Sequence, residues 1–284
     1  MAVAIALSLA VTAACTGETG PEKPPKAVRT TPQPVPAARL AAVTLPGEPA
    51  ALVEVITRQV RASGSVRAEH ATTSAEGNKR IEEKITAQLR TGLTPPSAQL
   101  TIVDRDPADP STTEAVLLNG VIYTRVDGEE QAPGKPWVQL TRQDAKNPEL
   151  APFAKLLTGL IDQVENALSQ MSTDTGLALV RNGTFKGEPA KETLDGVQVQ
   201  RYSGATPANK LAGKDPAFAA LSKTGLKEVG WVLWVDDKGL PRKFQVDHVT
   251  PDELRGSQTI TYARWGEPVL IEAPPANQIH KVGA

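Results

Sequence analysis

The chain has one cysteine in 284 residues, so no internal disulfide can form. Aromatic residues make up only 4% and the formal net charge is only -1. The first leaves a core to be built from Val, Leu, Ile and Ala. The second excludes a phosphate-backbone surface, which needs a marked positive excess, and so argues against nucleic acid as a partner. No HExxH, Walker loop, Gly-rich dinucleotide turn or Gly-x-Ser-x-Gly elbow occurs, so no enzyme class and no cofactor is indicated. No apolar run reaches the roughly 20 residues that a membrane-spanning helix needs.

What is present begins with the lone cysteine. Ala2 to Val11 is uncharged and apolar, short enough for a signal-peptide core, and Ala13-Ala14 supplies small residues before Cys15. No Lys or Arg precedes Cys15, which points to a start codon upstream of Met1. The stretch Leu9 to Cys15 resembles the lipobox of bacterial lipoproteins, with Thr12 where Leu is usual. The expectation is a signal peptide over 1–14, an S-acylated Cys15 of palmitate type, and a protein anchored by lipid at the extracytoplasmic face of the cell membrane. More than one acyl chain, at about 0.8 kcal/mol per buried methylene, makes such anchoring stable.

Residues 16–46 hold seven prolines, from Pro21 to Pro46, among small and polar residues. They read as an extended tether of up to about 90 Å. From Gly47 to Ala284 the pattern is that of a single domain. Leu52, Val55, Ile56 and Val60 share a helical face that ends at Gly64. Alternating runs follow at 66–72, 81–89, 98–103, 114–118, 121–126 and 137–140, and Asn119-Gly120 marks a tight hairpin. Asn147 and Pro148 open an amphipathic helix striped by Leu150, Phe153, Leu157, Leu160, Ile161, Val164, Leu168 and Met171. Gly176 to Phe185 reads as a strand, then Val197 to Tyr202, with a loop and short helix over 207–224 anchored by Phe218 and Leu221. Trp231, Leu233 and Val235 alternate up to the Asp236-Asp237-Lys238-Gly239 turn, and Phe244 and Val246 alternate back. The fold class expected is α+β: a curved antiparallel sheet with helices on one side.

The segments WVLWVDDKGLPRKFQVDH (Trp231 to His248) and ITYARWGEPVLIEAPPANQI (Ile260 to Ile279) resemble the end of the LppX/LprAFG lipoproteins of mycobacteria and their relatives. GTFKGEPAKETLDGVQVQRY (Gly183 to Tyr202) extends the likeness. The resemblance implies the LolA-like fold, a strongly curved half-barrel closed by helices around an apolar cavity, and a role in binding or carrying lipid or glycolipid. The residues expected to line that cavity are Leu150, Phe153, Leu157, Leu160, Ile161, Val164, Trp231 and Leu233. The alternative is an envelope sensor or interaction domain of the same fold, its core filled by the Leu150 to Met171 helix, with a protein partner. Gly230 and other strand glycines would permit the sheet to bend.

Several features invite sharper readings. His70 and His248 can meet across a sheet face, but strand histidines without metal are far commoner. Asp104, Asp106 and Asp109 form a loose calcium-like loop interrupted by prolines and lacking the bidentate Glu. The Asp236 to Gly239 stretch is explained by turn chemistry, and the Asn182-Gly183-Thr184 sequon by a surface turn. Glu83 lies on the apolar face of its strand, placed to meet a ligand head group or to reach the sheet edge.

Overall fold

The structure, a computed structural model, describes residues 40–76, 79–93, 96–105, 110–211, 226–249 and 255–282. Folded contacts start before the expected boundary at Gly47. Leu40 and Leu45 pack against the main core, and the Val43 amide donates to the Asp237 carbonyl at 2.8 Å. Helix α1 then spans Pro49–Ser63, with Pro49 in the first turn, where its missing amide costs nothing, and Gly64 in the left-handed region at φ 78° as its stop.

Six antiparallel strands follow as a meander: β1 Ser65–Glu76, β2 Lys79–Arg90, β3 Ser97–Asp104, β4 Ser111–Leu118, β5 Val121–Val126 and β6 Trp137–Leu140. Asn119 and Gly120 both take positive φ, as a two-residue hairpin turn requires. Asn147 accepts from the Glu149 amide at 3.0 Å, but the next six residues, Pro148–Phe153, wind as a 3₁₀ turn. Regular helix starts only at Ala154, after Pro152 has broken the ladder, and α2 runs over Ala154–Met171.

The expected strand from Gly176 to Phe185 is mostly helix α3, Thr173–Asn182. Ser172 decides it: its hydroxyl caps the new helix by accepting from the Asp174 amide at 3.1 Å, and its own amide closes α2 by donating to the Leu168 carbonyl at 3.0 Å. The alternating apolar residues of that stretch are instead helical neighbours, with Leu177, Leu179 and Val180 buried. Only Thr184–Phe185 remains extended, as β7.

The second meander comprises β8 Ala190–Leu194, β9 Val197–Pro207, β10 Glu228–Asp236, β11 Pro241–Val249 and β12 Arg255–Ala263, and β13 Ile279–Lys281 closes the chain. All belong to one curved, open sheet in the order β13-β6-β5-β4-β3-β2-β1-β12-β11-β10-β9-β7, with β8 on the same edge of β9. Pairing of β1 with β12 sews the two meanders together, and every pair is antiparallel except β13 with β6. The fold is thus the expected α+β half-barrel, with helices α1 to α3 on its inner face. That face and the helices share one large core. On the outer face the 264–278 tail lays Val269 and Ile271 over Val116 and Trp137, a small second core.

Candidate functional site

Of the eight residues expected to line a cavity, six lie on α2 or the turn that leads into it, while Trp231 and Leu233 lie on β10, which packs against α3. Leu157, Ile161, Val164, Trp231 and Leu233 are buried in the main core, and Leu150, Phe153 and Leu160 are half-buried against it. The stripe falls on β1, β2 and β3, as its amphipathic spacing demands. Trp231 is tied in further: its indole N–H donates to the Thr206 hydroxyl at 3.0 Å, which donates to the Leu179 carbonyl at 2.7 Å, linking β10, β9 and α3. None of the eight lines either cavity described next.

The larger cavity, about 740 Å³, lies at the far end of α2, where α1 and α2 finish, α3 begins and β2 turns into β3. Three local rules put it there. The end of α1 is moored to the β2–β3 turn, because the Thr91 hydroxyl donates to the Val60 carbonyl at 2.9 Å, a carbonyl that also accepts from the Ser63 hydroxyl of the same helix at 2.7 Å. Ser172 ends one helix and caps the next, so the chain breaks direction at the cavity wall. Trp265 is fixed by its indole donating to the Pro241 carbonyl at 2.9 Å and by Tyr262, whose ring lies 5.6 Å away. Val66, Leu89, Leu168, Met171, Tyr262 and Trp265 supply apolar wall, while Arg61, Glu165 and Asp174 supply charge. A volume between about 300 and 1,000 Å³ is that of a small-ligand site. Sequence reasoning missed it because its lining comes from five separated segments with no shared periodicity. A second cavity, about 370 Å³, is a polar trough on the outer face between Arg67, Glu69, Gln88 and Gln99.

A polar row crosses the inner face at the other end of the sheet. His70 is 1% exposed, between Ile85 and Ile260 on the neighbouring strands. Its Nε2 lies 3.1 Å from the Thr72 hydroxyl and its Nδ1 is buried with no partner among the described residues. Burial pushes the imidazole pKa down to about 4. Glu83 stands opposite both Thr72 and Asp104; burial first, and then the Asp104 charge, raises its pKa. Among the described residues no three candidate ligands gather for a metal ion. The His248 side chain, Asp106 and Asp109 lie outside them, as do Cys15, Phe218 and Leu221.

The His70 environment has a pH signature. Between pH 6.5 and about 4 the unfolded chain protonates this histidine and the folded chain does not. Its contribution to stability is therefore complete above pH 6.5 and is lost as pH falls towards 4. The slope reaches about 1.4 kcal/mol per pH unit. Urea unfolding of wild type and His70→Gln between those limits should give profiles that converge as the pH drops; parallel profiles would contradict the assignment.

The acidic hairpin after β10 is structural. Asp236 Oδ1 accepts from the Lys238 and Leu240 amides at 3.0 and 2.9 Å, which opposes the upward push of burial on its pKa. Asn182 donates from Nδ2 to the Ala178 carbonyl at 2.7 Å at the end of α3.

No family model and no curated protein matches the sequence. Solved structures do. LprF from Mycobacterium bovis aligns over 82% of this chain and 99% of its own, at 16% identity and a TM-score of 0.49. The Mycobacterium tuberculosis lipoprotein LppX aligns over 78% and 98%, at 15% identity and a TM-score of 0.44. The chain is similar to both. They bear the names of the family that its C-terminal segments resemble. The Pseudomonas aeruginosa MucA/MucB complex also aligns, over 81% of this chain and 59% of that one, at 11% identity and a TM-score of 0.30. Among the described residues no helix is long and apolar enough to cross a membrane.

Proposed function

We propose that this protein is tethered through Cys15 outside the cytoplasmic membrane and holds one small amphiphile in the cavity at the end of α2. The observation that carries this reading is the cavity itself: about 740 Å³, walled on one side by Val66, Leu89, Leu168, Met171 and Tyr262, which belong to or abut the main core. The cleft opens to solvent, so a ligand can enter it and lay an apolar part against a wall continuous with the core. The remaining lining is polar, which suits a ligand with a head as well as a tail.

Paired tryptophan substitutions test it. Leu168→Trp narrows the cavity and should abolish retention of small lipid in native mass spectra of protein purified from membranes, with little loss of stability. Leu160→Trp, half-buried away from the cavity, should leave retention intact while overpacking costs about 1–3 kcal/mol. Wild-type protein that never carries a small molecule would reject the reading.

One observation favours a second reading, an envelope sensor or interaction domain with a protein partner. The interface between α2 and the sheet is filled, with Ile161 at 0% exposure and Val164 at 1%. The wild-type mass spectra separate the two, because only a binder retains ligand.

A further inference from the structure

From the outer face of the sheet we infer a second binding site, one for an acidic saccharide, with its carboxylate on Arg67 and its hydroxyls along the glutamine and threonine rows beside it. The site lies on the opposite face of the sheet from the cavity at the end of α2 and does not depend on that cavity holding a ligand.

Strand pairing builds the trough. Side chains alternate between faces, so Arg67 and Gln88 point outward where their neighbours Val66 and Leu89 are buried in the core. Arg67 pairs with Gln88, and Gln88 with Gln99, which makes one row of long polar side chains across β1, β2 and β3. The next outward row runs Thr261, Glu69, Thr86, Thr101, from β12 to β3. Its threonines are too short to fill the space beside the longer row. Glu69 leans to the far side, where Lys84 holds it at 3.0 Å. A trough of about 370 Å³ is left, crossing four strands and so about 14 Å long. Beyond Gln99 its long row meets Val116, which Val269 and Ile271 of the tail cover.

The unpaired charge in the trough is the Arg67 guanidinium. Arg67 is half-buried, and its Nε is covered with no hydrogen-bond partner among the described residues, so the side chain lies down in the trough. Neither carboxylate of the threonine row is left for it: Lys84 holds Glu69, and Arg125 holds Glu114, the partner of Thr101, at 2.6 Å. Its outer N–H groups remain for a planar oxyanion, which a guanidinium fits as a fork. Gln88, Gln99, Thr86, Thr101 and Thr261 surround it, none with a side-chain hydrogen bond among the described residues. Each of these amides and hydroxyls both donates and accepts, as the hydroxyls of a sugar ring do. No apolar residue larger than alanine lines the trough, which sets a hydrocarbon tail aside.

The test is calorimetric titration of the full chain with digalacturonate, its dimethyl ester, succinate and inorganic phosphate. Digalacturonate should bind about tenfold or more tightly than the ester, which keeps both rings and loses the charge, because a charge-assisted hydrogen bond is given up. Arg67→Gln should bring that ratio close to one. Thr86→Trp, at an exposed strand position, should fill the trough and remove binding of both. Leu168→Trp, in the cavity on the other face, should leave digalacturonate binding unchanged, which separates this site from that one. If Arg67→Gln does not fold, a salt series on the wild type replaces it: the ratio should fall as ionic strength rises from about 0.05 to 0.5 M, because exposed charges are screened over that range. Equal affinity for acid and ester in wild type, or a ratio that survives Arg67→Gln, would overturn the assignment of the carboxylate to Arg67. Succinate or phosphate binding as tightly as digalacturonate would overturn the saccharide, and no binding of digalacturonate would overturn the site.

Discussion

Gly204→Ala should destabilise the protein by about 3 kcal/mol or more, although it adds one methyl group to a strand. Gly204 on β9 stands directly opposite Trp231 on β10. A β-carbon there would run into the six-membered ring of the Trp231 indole and stand 2.7 Å from the Thr184 carbonyl oxygen, an approach that real β-carbons do not make. Trp231 is 2% exposed and cannot swing aside without breaking its hydrogen bond to Thr206, and with it the link to the Leu179 carbonyl of α3. The clash therefore costs both packing and a buried donor. Urea unfolding and the near-ultraviolet dichroism of the tryptophans report the two losses. Gly230→Ala is the control, because a β-carbon there meets nothing within 4 Å, and it should change stability by less than about 1 kcal/mol. Equal effects at both sites would show that Gly204 is not holding the indole in place.

That contrast marks where local pattern stops being informative. Gly230 drew attention as a point of sheet bending because it sits inside an alternating strand. The demand on Gly204 comes from a tryptophan 27 residues away and is invisible until β9 and β10 pair. Elements specified by their own residues were legible: α1 ending at Gly64, β5 and its Asn119-Gly120 turn, β6 at Trp137–Leu140, and the Asp236 to Gly239 turn. Helix α3 was not, since Leu177, Leu179 and Phe185 alternate as convincingly as strand residues do. The deciding contacts are the Ser172 cap and the seat of Gly176 against Phe244, where a β-carbon would stand 3.0 Å from the ring. The fold class and the inward stripe of α2 could be read because amphipathic spacing says which side faces the sheet. It does not say whether that side meets atoms or space. The cavity formed instead at the helix ends, where capping and mooring bonds, not stripes, set the geometry.

Ile161→Ala is the second substitution expected to act strongly, with a loss of about 2–5 kcal/mol. Ile161 is 0% exposed at the middle of α2, one turn from Leu157 and three residues from Val164, and all three belong to the core over β1 to β3. Alanine raises helix propensity slightly, a gain of under about 1 kcal/mol, so the net sign is set by the void left behind. The sheet beneath cannot collapse into that void easily, because each strand from β1 to β3 is paired on both sides. Relaxation is confined to side chains, which favours the upper part of the range. Leu168→Ala, half-buried at the cavity wall, removes less buried surface and opens onto existing space, so its cost should be markedly smaller. Guanidinium unfolding of the two variants measures the difference. A loss at Ile161 no larger than that at Leu168 would mean that α2 rests loosely on the sheet, and that the ligand volume extends beneath it.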